Sequence, residues 1–273
     1  MTSPTPARQP LITLERDGPL AIVSFNRPEK LNAWSWESAR QLGTMADALR
    51  FDDSVRSVVL RAEGRAFCAG VDLGMPSDRI TGRSPAEKVR NYYERFRWVH
   101  ERFRVFSDLP QPTVAAIQGY CLGAGFEIAL MCDLRIAATD AQFALPEAQV
   151  GVSIDAGGDL RLAHEIGAGN AKLLALTGRR IDAATALRLG VVQEVVERDD
   201  LDAAALGLAH EIAANAPLAV QGIKRTINGF TERGLTEAMR FVAMSAAVEF
   251  VSDDMTLGYA AKAKRETAEF EGK

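Results

Sequence analysis

Apolar and polar positions along this chain repeat with two different periods, and the change between them lays out the expected architecture. "LITLER" (11–16) and "LAIVSF" (20–25) are short β-type runs joined by "DGP". Asp17 and Gly18 supply a tight turn there, so the chain opens on a hairpin. "NRPEKLNA" ends the second strand at Pro28, and "SWESARQLGTMADALRF" reads as helix, with Ser35 placed to cap its first turn and Glu37 inside that turn. "VRSVVLRAE", "PTVAAIQG" and "LRIAAT" read as buried strands, with helical "GAGFEIALMCD" between the last two. From about residue 157 helices dominate: "RLAHEIG", "NAKLLALTG" and "DAATALRLG", a strand in "VVQEVV", the alanine-rich helix "LDAAALGLAHEIAANA", and three helical stretches within 217–270. Strands alternating with helices and then an all-helical tail predict an α/β fold with a C-terminal helical region. The expected division is a flexible lead (1–10), a core domain (11–200) and a helical region (201–273).

The stretch "VRNYYERFRWVHERFR" (89–104) interleaves arginine with aromatic residues, a combination that could contact nucleic acid. Its apolar members Tyr92, Phe96, Val99, Phe103 and Phe106 are spaced by four and three, which is one face of a helix. Arg90, Arg97 and Arg104 alternate with Glu94 and Glu101 on the other face. A core-facing amphipathic helix is therefore expected, with partner or phosphate contact through the arginines as the alternative. Trp34, Trp36 and Trp98 read as packing residues.

Composition narrows the partners. The 273 residues are 47% hydrophobic and 25% charged, enough for a packed core. Thirty-two basic against 36 acidic residues leave a formal charge of −4, so no whole-protein field favours nucleic acid or an anionic membrane, and neither partner is expected. Cys68, Cys121 and Cys132 are odd in number and lack a CxxC pair or histidine spacing, so neither a disulfide framework nor a metal site is expected. "MTSPTPARQP" carries no apolar signal segment and no run approaches the roughly 18 apolar residues of a membrane span, which makes the cytoplasm the expected compartment.

For chemistry, no GxSxG elbow, Walker loop or HExxH is present. The informative stretches are "GRAFCAGVDL" (64–73) and "GYCLGAGFEIALMCDLRIA" (119–137). Each sets a small-residue turn just after a strand, and the second runs into a helix, whose first N–H groups have no intrahelical partner and face outward. Two such turns facing each other would form an oxyanion hole; glycine spacing alone is explained as well by chain reversal and packing. With "NRPEKLNA" before them and "PEAQVG" after, in this order, the segments closely resemble the crotonase, or enoyl-CoA hydratase/isomerase, family over most of residues 10–200.

That resemblance implies a crotonase-like spiral of β-β-α turns, an acyl-CoA thioester substrate with no cofactor beyond the CoA it carries, and a homotrimer or dimer of trimers whose C-terminal helices serve oligomerisation and cover the active site. It assigns the backbone N–H groups of Val71 and Ala124 to the thioester oxygen, Ala124 standing where relatives often carry glycine. Lys30 and Ala69 match CoA-contact positions, and Asp72 lies just beyond the oxyanion donor in the same CoA-binding stretch. Lys262, Lys264 and Arg265 resemble the family's basic tail near the nucleotide phosphates, in an altered pattern that also reads as solvated helix charge.

The resemblance also matches Glu127 and Glu147 to the two glutamates that flank a water in hydratases. Two carboxylates suit that work because one accepts the water's proton while the other holds the water or protonates the α-carbon. Asp155 stands where hydratases usually have glycine. Paired with Glu147 it resembles the dienoyl-CoA isomerase branch, although that branch typically has aspartate at the position of Glu127. Asp155 reads equally as the N-cap of the helix that begins in "AGGDLRLAHEIG". Enoyl-CoA hydration is the leading expectation, dienoyl-CoA isomerisation the alternative, and a CoA-family scaffold binding RNA or a partner the third. A nucleophilic hydrolase or dehalogenase fits the glutamate pair less well.

Overall fold

The strand pair that opens the chain is antiparallel, β1 (Ile12–Asp17) against β2 (Leu20–Phe25), with Asp17 opposite Leu20 across the two-residue turn. The computed structural model describes residues 9–74, 81–215, 217, 220–225, 227, 228, 247, 250, 251 and 253–266. After β2 come a 3-10 turn (Pro28–Lys30), α1 (Trp36–Arg50), β3 (Ser57–Ala62), α2 (Pro85–Ser107), β4 (Thr113–Ile117), β5 (Tyr120–Leu122) and α3 (Ala124–Ala129). They are followed by β6 (Leu134–Ala138), β7 (Gln142–Ala144), a 3-10 turn (Glu147–Val150), α4 (Gly158–Thr177, broken at Gly167), β8 (Ile181–Asp182), α5 (Ala183–Leu189), β9 (Glu194–Val196), α6 (Leu201–Ala213) and α7 (Asp253–Lys264). Ser35 caps α1, accepting from the Ser38 N–H at 3.2 Å.

The strands form two sheets. The larger has the order β1-β2-β3-β4-β6-β9, parallel from β2 onward, and the smaller has the order β5-β7-β8. β4 and β6 each lie in the large sheet and hand the chain directly to β5 and β7 in the small one, so each pass is one β-β-α turn of a spiral.

Alternation within the large sheet buries it on both faces. Ala21, Val23, Phe25, Val58, Leu60, Ala115, Ile117 and Ala137 point into the main core, whereas Leu20, Val59, Val114, Ala116, Ile136 and Ala138 meet α6. Burial on both sides is why these strands read as continuous apolar runs. α6 presents Leu201, Ala205, Ala209 and Ala213, four residues apart, a flat stripe that lets the helix backbone approach the sheet closely.

The stripe of α2 is buried throughout at Tyr92, Phe96, Val99, Phe103 and Phe106. On its exposed side Arg104 pairs with Glu101 at 2.8 Å and Arg90 with Glu87 at 3.7 Å, a solvated face. The helix expected over "GAGFEIALMCD" ends at Ala129, where the bonds tighten to Met131 N–H on Ile128 O (3.0 Å) and Cys132 N–H on Ala129 O (3.2 Å), and the buried Arg135 guanidinium donates to Cys132 O at 2.8 Å and Ala129 O at 3.5 Å. Cys68, Cys121 and Cys132 are buried and free. Of the helical stretches expected within 217–270, α7 is described and the remainder lies largely outside the described residues, as does part of the polar loop that follows Asp72. Among the described residues no helix is long and apolar enough to cross a membrane.

Candidate active site

Two turns meet at the centre of the molecule through their backbones. Cys68 N–H donates to Tyr120 O (2.8 Å) and Leu122 N–H returns to Cys68 O (2.9 Å), pairing the end of one segment with the strand of the other. Just beyond Cys68, Trp34 N–H donates to Gly70 O (2.8 Å) and Asp72 N–H to Trp34 O (2.9 Å). Val71 lies between those two bonds, so strand alternation turns its N–H away from Trp34. Ala124 is the first residue of α3, where an N–H has no intrahelical acceptor. Among the described residues, neither N–H makes a backbone hydrogen bond.

Gly123 joins these turns to the acids. Its φ of 50° and ψ of −124° are unfavourable for any side chain, and a Cβ there would lie 2.8 Å from Glu147 Oε1 and 3.7 Å from Gly70 Cα. The carboxylate of Glu147 therefore rests against the turn that ends in Ala124.

Glu127, in the first turn of α3, is 2% exposed. Its Oε1 accepts from Ala156 N–H (2.9 Å) and Gly158 N–H (3.0 Å), tying it to the start of α4. Burial, with the nearby charges of Asp155 and Glu147, pushes its proton affinity well above the ordinary carboxylate range, and the two N–H donors oppose that rise. Glu147 is raised to about 8, chiefly by burial and further by Asp155 and Asp159, while its own backbone N–H opposes. Its Oε2 is buried with no hydrogen-bond partner among the described residues. Glu127 and Glu147 are thus both desolvated acids, each pushed up further by the charge of Asp155.

The fold also decides how Asp155 is held. The N-cap of α4 is Gly157, without a side-chain cap, and the Gly158 N–H is met by Glu127. The capping expected of Asp155 is thus carried out by a different acid. The Asp155 carbonyl faces His100 Nε2 at 2.5 Å. A carbonyl can only accept, so Nε2 carries the proton, in keeping with a ring that burial pushes below its usual proton affinity.

A model of the family described as "Enoyl-CoA hydratase/isomerase" matches residues 15–273. The chain belongs to the enoyl-CoA hydratase/isomerase family. A short-chain-enoyl-CoA hydratase of Clostridium acetobutylicum is 34% identical over 244 residues, 89% of this chain and 90% of that protein. A mitochondrial Delta(3,5)-Delta(2,4)-dienoyl-CoA isomerase of Dictyostelium discoideum is 33% identical over 241 residues, 86% and 82% of the two chains. The crystal structure of an enoyl-CoA hydratase/isomerase from Pseudoalteromonas atlantica T6c superimposes with a TM-score of 0.84 at 29% identity, covering 96% of this chain and 100% of that one. Membership makes the protein an acyl-CoA hydratase or isomerase and accounts for the spiral of β-β-α turns.

The expected CoA-binding positions of this family member fall at one edge of the site. Lys30 is exposed in the 3-10 turn, and Ala69 N–H donates to Leu31 O at 3.0 Å, stitching that turn to the Val71 segment. At Asp72, Arg27 holds the carboxylate at 2.7 Å and the Gly74 N–H donates to it at 2.9 Å. This pairing lowers its proton affinity, and an anion so engaged locks the loop and would repel a phosphate. Lys262, Lys264 and Arg265 lie at the end of α7, where Lys262 Nζ is 3.5 Å from Gln149 Oε1.

Sequence reasoning overlooked His100, Asp159 and Arg135. His100 stands four residues after Phe96 at the inner edge of the α2 stripe, the one signal that it faces inward. The buried Arg135 also donates to Val191 O at 2.6 Å and pairs with Glu165 at 3.2 Å, so it anchors the far end of the helix that carries Glu127. A separate cavity of about 690 Å³, bordered by Leu130, Met131, Ile212, Ile223 and Lys224, is lined by none of these acids.

Proposed function

We propose that the protein is an enoyl-CoA hydratase, adding water across the 2,3 double bond of a 2-enoyl-CoA thioester. The observation that carries this reading is that Glu147 rests against the Gly123 turn, within reach of the charge on buried Glu127, while the Val71 and Ala124 N–H groups make no backbone hydrogen bond among the described residues. The thioester oxygen would accept from Val71 and Ala124. As water oxygen attacks C3, negative charge moves to that oxygen as an enolate, and fixed donors favour it over the ground-state carbonyl. One such donor is worth about 2.7–4 kcal/mol of barrier.

The acids divide the proton work. Glu127, whose anion is met by two N–H groups, accepts the proton of the attacking water. Glu147, whose Oε2 has no partner among the described residues and whose proton affinity burial raises to about 8, delivers a proton to C2. Atoms and charge balance without redox change, so the reaction calls for no cofactor beyond the substrate's own CoA, which Lys30 and the Ala69 turn would contact.

A homotrimer or dimer of trimers is the proposed assembly; exposed Leu173, Leu176 and Leu187 supply apolar surface for it. The cytoplasm is the proposed compartment, which suits three buried free thiols. Asp155 favours a second reading, dienoyl-CoA isomerisation with Glu147, because its charge reaches both glutamates. Assays of crotonyl-CoA and a 3,5-dienoyl-CoA, following water addition and double-bond migration separately, test the choice. Efficient hydration with slow migration is expected; fast migration with negligible hydration would replace the first reading by the second.

A further inference from the structure

The peptide unit between Asp155 and Ala156 is held on both of its edges. Its carbonyl accepts from His100 Nε2 at 2.5 Å, and its N–H donates to Glu127 Oε1 at 2.9 Å. A trans peptide is planar, with the C=O and N–H pointing to opposite sides, so a bond that fixes the oxygen also fixes the direction of the hydrogen. The imidazole therefore reaches Glu127 through a single amide. A donor on the carbonyl also polarises that amide, and coupled bonds of this kind strengthen one another by about 10–30%.

Both ends of this chain of bonds sit on helices. His100 belongs to the 23-residue α2, between Phe96 and Val99 on one side and Phe103 on the other, all buried, and its ring centroid lies 6.4 Å from that of Phe96. Glu127 is in the first turn of α3. The segment between them is loop. Upstream, Val150 and Val152 pack with Met255 of α7, and Gly258 leaves no room for a side chain against Val150. Those apolar contacts set where the loop runs; the imidazole sets how one of its amides is turned. That direction matters because burial opposes the charge on Glu127, while the N–H groups of Ala156 and Gly158 favour it.

We propose that His100 is a positioning residue: by donating to the Asp155 carbonyl it aims the Ala156 N–H at Glu127 and so holds ready the carboxylate that takes the proton of the attacking water. The proposal deepens the hydratase reading and rests on it for that proton transfer. It needs no contact between His100 and the substrate.

Two substitutions separate aiming from packing. His100→Leu fills the place with apolar bulk and removes the donor, whereas His100→Gln puts an amide N–H near the position of Nε2. On crotonyl-CoA, His100→Leu should lower kcat about tenfold with KM within about twofold, and His100→Gln should stay within about threefold of the wild type. Amide hydrogen exchange, followed by NMR, reads the same device without any reaction: the Ala156 N–H should exchange about tenfold faster in His100→Leu and keep its protection in His100→Gln. His100→Asn, one methylene shorter than Gln, takes the place of His100→Leu if that variant does not fold. If the donor-free variant and His100→Gln have the same kcat, whether both match the wild type or both are slowed, His100 only packs and the proposal is overturned. If the exchange difference holds while the wild type hydrates no enoyl-CoA, the aiming of the amide stands and the assignment to hydration falls.

Discussion

The two halves of the site are built on opposite plans. In the half formed by the Val71 and Ala124 turns, backbone bonds fix almost everything: Trp34, Cys68, Tyr120 and Ala144 all exchange or accept main-chain hydrogen bonds with the turns. Glu127 belongs to this half, held by two N–H groups and by a helix whose far end Arg135 anchors. The acid loop, residues 146–158, keeps one carboxylate oxygen of Glu147 without a partner and relies on groups from distant segments, His100 from α2 and the face of α7. Such fixing is what the proposed mechanism asks of donors that stand where charge would develop. The second half leaves Glu147 Oε2 without a partner among the described residues, which suits an acid that gives up a proton in the proposed mechanism.

The largest effect that sharpens this contrast is loss of either glutamate. Glu127→Gln and Glu147→Gln should each lower kcat on crotonyl-CoA by about 10²- to 10⁴-fold, read by steady-state kinetics. Next is Gly123→Ala, which forces a Cβ into a conformation with φ of 50° and against Glu147 Oε1. It should cost about 100-fold in kcat and lower the melting temperature, because strain of about 1–3 kcal/mol enters the one point where both halves touch. Wild-type kinetics in Gly123→Ala would show that the halves are not coupled there.

A smaller effect reads the strain in the acid loop directly. Glu147 is raised to about 8 in the folded chain, against about 4.3 for an unfolded glutamate. The folded state therefore holds the proton more tightly, and the stabilisation this gives is complete below about pH 4.3 and lost as pH rises through about 8. Glu147→Gln, which cannot ionise, should melt higher than the wild type at pH 8 by on the order of 1–3 kcal/mol and match it near pH 4. Equal stability at both pH values would mean that Glu147 is solvated, and the contrast with Glu127 would disappear. The smallest effect belongs to Asp72→Asn, which removes a partly exposed ion pair with Arg27. About 0.5–1 kcal/mol of stability should be lost with KM for the thioester unchanged; a large change in KM would return Asp72 to the CoA site.

Much of this was legible in the chain. Ser35 marked the start of α1, the four-and-three spacing from Tyr92 to Phe106 marked the buried face of α2, and the two glycine turns with Glu127 and Glu147 marked the site. Each of these signals is local: a cap, a period or a turn is set by residues a few positions apart, and its physics acts at that range. The length of α3 was misjudged because its last bonds tighten to the three-residue spacing of Cys132 N–H on Ala129 O, a turn over which the guanidinium of Arg135 also reaches. No property of "GAGFEIALMCD" by itself announces that.

The sequence by itself determined the family, the six strands of the large sheet in order and the two glutamates that the fold brings together, since each is a matter of residue type at fixed local spacing, whereas the three short strands of the small sheet went unread. Only the tertiary structure decided that Gly157 and not Asp155 stands at the N-cap of α4, that Glu127 receives the N–H groups there, and that His100 and α7 close around the acid loop. These outcomes depend on which distant groups arrive within about 3 Å of a carboxylate, and both hydrogen bonding and desolvation fall off over that distance.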